Sequence, residues 1–192
     1  MNDLQIRTAT WDDEPRIAAL MALAFANDPY VRWLLPDPLD YLRSSEKHVR
    51  LSAAPAFENG TAYVIGDFAG ASVCLPPGTN INRTHENDAD TPETNVPAEF
   101  DELISKSAAY CPDTLHWLLA FIVVDPAQQG KGLGTAILKH TLDQCDRDKL
   151  PTFLESTNIA NTTLYKRFGF KLLAKVTVGQ SPARYPMLRQ PL

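Results

Sequence analysis

The chain has 192 residues, 44% of them hydrophobic and 21% charged, and a net charge of −5. That length holds one domain, residues 1–192, with a sizeable core, and is short for two. The acidity argues against nucleic acid as a partner; no run of about 18 apolar residues is present to cross a membrane, and Met1-Asn2-Asp3-Leu4 lacks the regions of a signal peptide.

Residues 4–8 alternate and read as a short strand. Thr10 then caps a helix with Asp12, Asp13 and Glu14 in its first turn and Ile17, Leu20, Met21, Ala24 and Phe25 on its apolar face. Asn27-Asp28-Pro29 breaks that helix, residues 30–38 are aromatic and proline-rich, and a second helix covers residues 39–57. Glu58-Asn59-Gly60 leads into a hairpin with strands at 62–65 and 71–75, closed by Pro76-Pro77-Gly78. Residues 79–98 are polar and without period, a long surface loop. A short helix at 97–109 precedes an apolar strand at 115–124 and an amphipathic helix with Leu133, Ile137, Leu138 and Leu142 inward. A strand at 152–156, a helix at 158–168 and strands at 171–178 and 183–188 complete the order.

Cys74, Cys111 and Cys145 are odd in number and far apart, which fits reduced thiols in a cytoplasmic protein. His48, His85, His116 and His140 show no metal-ligand spacing, so no metal is expected.

The chemistry concentrates where the strand at 115–124 gives way to its helix. The turn Gln129-Gly130-Lys131-Gly132-Leu133-Gly134-Thr135 sits at a helix start, where backbone N–H groups lack partners and the dipole is positive. Glycines there let phosphates approach the backbone, which points to a pyrophosphate-bearing ligand. The turn is not a P-loop, because Lys131 precedes the last two glycines and no Lys-Ser/Thr pair follows. The dinucleotide fingerprint G-x-G-x-x-G fails at its third glycine, although Glu155 ends the next strand where a ribose-binding acid belongs. The pattern Q/R-x-x-G-x-G/A does fit.

Downstream lies Asn161-x-x-x-Tyr165-x-x-Phe168-Gly169-Phe170. Asn161 and Tyr165 are four apart and share a helix face, and Gly169 suits the left-handed position after a helix. Together the glycine turn and this run resemble the GNAT N-acetyltransferase superfamily. The resemblance follows the element order along nearly the whole chain, is strongest to puromycin N-acetyltransferase-like members, and is weak over residues 76–112.

The resemblance implies an α/β (α+β) fold. Its mixed sheet of about seven strands is flanked by helices and splayed between the cofactor strand and the next strand. It implies acetyl-CoA as the acyl donor, held by the backbone of Ile122, Val123 and Val124, by Gln129, Gly130, Lys131, Gly132, Leu133, Gly134 and Thr135, and by Asn161 and Tyr165. It implies transfer of acetyl to a primary amine of a small molecule by direct attack in a ternary complex. Tyr165 is then the general acid, and Glu155, or in its place His116, the base. Asn27, Asp28, Tyr30, Trp33 and Tyr185 are candidates for the acceptor site, since an acid with aromatics suits a cationic amine. A monomer or homodimer is expected. A non-catalytic acyl-CoA-binding module and a protein or peptide N-acetyltransferase are the alternatives on the same fold.

Overall fold

The computed structural model describes residues 5–79 and 96–192. Most of the polar loop expected at 79–98 lies outside them.

The chain starts with a short strand, β1 (Ile6–Thr8), and a 3-10 turn, Trp11–Asp13. Asp13 joins the two: its Oδ2 accepts from the Thr10 N–H at 2.9 Å, and its carboxylate takes both Arg7 Nη groups, at 2.6 and 2.8 Å. The Arg7 hydrogen bonds hold the Asp13 carboxyl down to about 2. Three helices follow: α1 (Glu14–Ala24), α2 (Pro29–Leu34) and α3 (Pro38–Glu58). The helix α2 lies in the stretch that the sequence pattern leaves irregular. An Asp-Pro pair explains it. The Asp28 carboxylate accepts from the N–H groups of Tyr30 and Val31, and Pro29 fills the first position with its preset φ. Asp37-Pro38 starts α3 the same way.

The strands β2 (Ala62–Ile65) and β3 (Gly70–Leu75) form the expected hairpin. Then come α4 (Phe100–Ala108), β4 (Trp117–Val124), α5 (Leu133–Arg147), β5 (Thr152–Ser156), α6 (Thr162–Arg167), β6 (Lys171–Leu172) and β7 (Tyr185–Arg189). The seven strands form one mixed sheet in the order β1-β2-β3-β4-β5-β7-β6. The long strand expected at 171–178 shrinks to two residues and one isolated bridge, Val176 to Arg184. Its alternation is real, but Leu173 donates to Pro186 and the chain then leaves the edge.

The helices cover both faces of the sheet. Ile17, Leu20, Val49 and Ala53 pack with Val73, Leu75, Phe121 and Val123 on one face. On the other, Leu138 and Leu142 of α5 pack with Leu119, Leu154, Tyr165 and Met187, and Ile137 packs with Tyr63 and Ile65. Among the described residues no helix is long and apolar enough to cross a membrane.

Two irregularities in β4 position the site. Val73 pairs with Phe121, but Cys74 pairs with Leu119, so Ala120 is an extra residue. This bulge reverses the side-chain alternation. Trp117 and Leu119 share the α5 face with Ile122, while Leu118 shares the opposite face with Phe121 and Val123. Moreover, β4 and β5 run parallel and pair only at Trp117 with Thr152 and Leu118 with Phe153. Beyond Leu118 the two strands diverge, and the bulge lies just past the point of divergence.

Candidate functional site

The open end of the cleft between β4 and β5 lies beside the start of α5. Asp125 ends β4, accepts from the Ala127 N–H at 2.8 Å and, with Pro126, sets a 3-10 turn. Gly130 and Gly132 follow at φ of 77° and 82°, conformations that cost an L side chain about 1–2 kcal/mol. A Cβ built on either meets nothing within 4 Å, so both face open space over the helix start. The first bond of the helical ladder runs from the Ala136 N–H to the Gly132 carbonyl at 3.0 Å. The N–H groups of Leu133, Gly134 and Thr135 precede it and lack helical partners. Lys131 Nζ donates to Gln128 Oε1 at 2.7 Å, and Gln129 Nε2 to the Val124 carbonyl at 3.3 Å, so both side chains stay at the turn. A concave row of N–H donors at a dipole's positive end is chemistry for a phosphate group.

Tyr165 stands on the α5 face, 7% exposed, edge-on to Phe170 with ring centroids 5.8 Å apart. Burial pushes its phenol well above the usual tyrosine range, so it carries its proton throughout the neutral range. Asn161 is exposed at the end of a 3-10 turn and immediately precedes α6, with no capping bond from its side chain. The helix is anchored from behind. Arg189 of β7 donates to the Phe168 carbonyl at 2.8 Å and holds Asp146 of α5 with two bonds of 2.7 Å. That clamp fixes α6, and with it Tyr165, against α5.

Glu155 lies on the opposite face of the sheet, because it alternates with Leu154 and follows Phe153. Its Oε2 accepts from Arg184 Nη2 at 2.8 Å and its Oε1 from the Ser107 hydroxyl. The Arg184 guanidinium stacks over the Tyr30 ring at 5.0 Å, and the Tyr30 ring lies 6.0 Å from that of Trp33. Burial raises the Tyr30 phenol, with Arg184 pulling the other way. Asp28 completes the group: while Oδ1 caps α2, Oδ2 accepts from Thr157 Oγ1 at 2.6 Å. So α2, α4 and the ends of β5 and β7 converge on one side of the cleft.

This brings together Asp28, Tyr30, Trp33 and Glu155. It does not bring in Tyr185, which pairs with Ser156 and by alternation shares the face of Leu154 and Met187. Asn27 is exposed next to the cluster. His116 sits at the start of β4, bonded to Cys111 and to the Thr114 carbonyl. Sequence reasoning missed Arg184, Ser107 and Thr157. One signal was available for the first: an acid inside the apolar run Phe153-Leu154-Glu155 needs a cation, since buried charges are paired.

Residues 96–172 match the family model of the acetyltransferase (GNAT) domain. The chain is thus similar to the GNAT acetyltransferase domain over this stretch. It is 24% identical over 205 residues to an uncharacterized N-acetyltransferase of Schizosaccharomyces pombe, covering 93% of this chain and 80% of that one. Its fold is similar to that of the histone acetyltransferase HPA2 and related acetyltransferase from Corynebacterium glutamicum, with a TM-score of 0.68, 22% identity, and 98% and 97% of the two chains covered. It is also similar to arylalkylamine N-acetyltransferase 2 from Aedes aegypti, with a TM-score of 0.71, 14% identity, and 98% and 99% covered. The GNAT model spans the β4–β5 cleft, the glycine turn and α6.

Proposed function

We propose that this domain moves an acetyl group from acetyl-CoA to the primary amine of a small molecule, by direct attack of the amine in a ternary complex. One observation carries the reading. The start of α5, with Gly130 and Gly132 open above it, lies at the mouth of a cleft between two diverging parallel strands.

The residues fit the donor. The N–H groups of Gly130 to Thr135 suit its pyrophosphate, with Gln129 and Lys131 at the rim. Among the described residues the β4 backbone at Ile122, Val123 and Val124 has no strand on its β5 side, so it can pair with an extended amide-bearing arm. Asn161 would hold the cofactor near its thiol end. Acetyl-CoA, when bound, supplies the acetyl group as an activated thioester.

The chain's own residues do the rest. The amine must be neutral to attack, because an ammonium has no lone pair. Glu155 accepts its proton, with Arg184 and Ser107 orienting the carboxylate. Backbone N–H groups of β4 in the cleft stabilise negative charge on the carbonyl oxygen. Tyr165, protonated at neutral pH, donates to the departing sulfur from the other face of the sheet. On this reading donor and acceptor enter from opposite sides. Asn27, Asp28, Tyr30 and Trp33 line the acceptor side, with Tyr185 a more remote contributor. Aromatic rings beside an acid favour a cationic, partly apolar amine. The Aedes aegypti neighbour is an arylalkylamine N-acetyltransferase, which is in keeping with that class.

Calorimetric titration with acetyl-CoA, against NAD and buffer, tests the donor assignment. Micromolar binding of acetyl-CoA and none of NAD is the expected result. Binding of NAD, or of neither, would overturn the proposal. Screening amines by thiol release then identifies the acceptor class.

A further inference from the structure

Cys111 and His116 lie outside the site described above, in the turn between α4 and β4. His116 Nδ1 is 2.7 Å from the Thr114 carbonyl oxygen. A carbonyl only accepts, so Nδ1 carries a proton, and in the neutral ring Nε2 then carries the lone pair. Nε2 faces Cys111 Sγ at 3.2 Å. The imidazole also stands edge-on to Phe153, with ring centroids 6.1 Å apart. A nucleophile is thus within reach of a base, and a third group fixes that base in its tautomer; this is the arrangement that activates a thiol.

The pair opens onto a cavity of about 570 Å³ that both residues line, together with Pro76, Pro112, Leu115 and Leu118. The volume is in the range of small-molecule sites, and the walls are mainly apolar. The other two cysteines differ in setting. Cys74 and Cys145 are 1% and 0% exposed and face each other in the core at 4.0 Å.

We propose that Cys111 and His116 form a reactive-thiol site that captures small α,β-unsaturated carbonyl compounds in this cavity. His116 Nε2 takes the thiol proton, and Cys111 Sγ bonds to the β-carbon. The π-electron pair moves towards the carbonyl, and the imidazolium returns its proton to the α-carbon. An S–C and a C–H bond replace the S–H bond and the carbon–carbon π bond, so no oxidant or other co-reactant enters. The apolar walls take the carbon body of such a compound. Capture depends on neither acetyl-CoA nor an amine, so it stands or falls independently of the acetyl-transfer reading.

The test treats the full chain at neutral pH with limiting N-ethylmaleimide, alongside glutathione in the same tube, and locates the adduct by peptide mass spectrometry. Cys111 is expected to react before Cys74 and Cys145, and at least about a hundredfold faster than glutathione, the low side of what a positioned base supplies. His116→Gln should remove that advantage, and Cys111→Ser should abolish the fast reaction, both with an unchanged circular dichroism spectrum. Labelling of Cys111 no faster than glutathione overturns the proposal, and the wild-type chain alone decides that point. An unchanged rate in a folded His116→Gln variant overturns it as well.

Discussion

Replacing Gly132 by alanine separates the two things this residue does. Its φ of 82° costs an L residue about 1–2 kcal/mol. Nothing lies within 4 Å of the added methyl, so no clash adds to that strain. Folding should therefore weaken by about 1–2 kcal/mol, a loss that a domain stable by about 5–15 kcal/mol survives. The methyl, however, stands in the open space over the helix start. Acetyl-CoA affinity should fall at least about tenfold, the equivalent of about 1.4 kcal/mol. Gly134→Ala is the control. Its methyl would meet Val124 Cγ2 at 3.6 Å and Leu164 Cδ2 at 3.8 Å, ordinary contacts. There alanine gains up to about 1 kcal/mol of helix propensity over glycine. Urea unfolding reads the first quantity and calorimetry the second. If Gly132→Ala loses stability as expected yet binds acetyl-CoA as tightly as the parent, the turn does not cradle the pyrophosphate.

Tyr165→Phe should lower kcat by about 10²–10⁴-fold, the usual worth of a positioned acid, with the acetyl-CoA Kd unchanged; unaltered turnover in steady-state assays removes Tyr165 from the chemistry and favours a non-catalytic module. Arg184→Met removes the guanidinium 2.8 Å from the Glu155 carboxylate, which is 8% exposed. It should cost about 3–5 kcal/mol in urea unfolding, and adding Glu155→Gln should restore most of that; additive losses would show the two side chains to be independent. The Asp13 carboxyl is held at about 2, below its ordinary value of 3.8. Its ion pair with Arg7 thus stabilises the fold above about pH 4 and is lost as pH falls towards about 2. The urea midpoint of the parent should drop more steeply across that window than that of Asp13→Asn, and parallel curves would contradict the assignment.

The sheet and its helix α5 were legible in the sequence because their signals are local. Trp117 to Val124 is a continuous apolar run, and the glycines after it have no other economical reading. The Asp-Pro start of α2 was equally local, but the aromatic residues around it masked a helix of six residues. The bulge at Ala120 was not legible. It changes which side chains face which layer without changing their apolar character, so composition is silent about it. Nor was the Glu155–Arg184 pair, whose partners are 29 residues apart and meet only because β5 and β7 are neighbours. What the sequence pattern reads well is thus the glycine turn at the mouth of the cleft, built from consecutive residues. The cluster around Glu155 is assembled from α2, α4, β5 and the approach to β7, and only the folded chain reveals it.

The extra residue in β4 gives that strand two phases. Before Ala120 the odd-numbered side chains belong to the α5 layer; after it, the even-numbered ones do. A strand of constant phase would carry Phe121 and Val123 into the α5 layer and Ile122 into the layer of α1 and α3, and either half would then be mispacked. The phase slip falls two residues past the last β4–β5 pair, so the change of face and the opening of the cleft occur at neighbouring points of the strand. Removing Ala120 would restore an even alternation in which Leu119 and Ile122 still face α5 while Phe121 and Val123 still face α1 and α3. The two packing layers therefore do not require the extra residue; what coincides with it is the opening of the cleft, which begins just past the last β4–β5 pair.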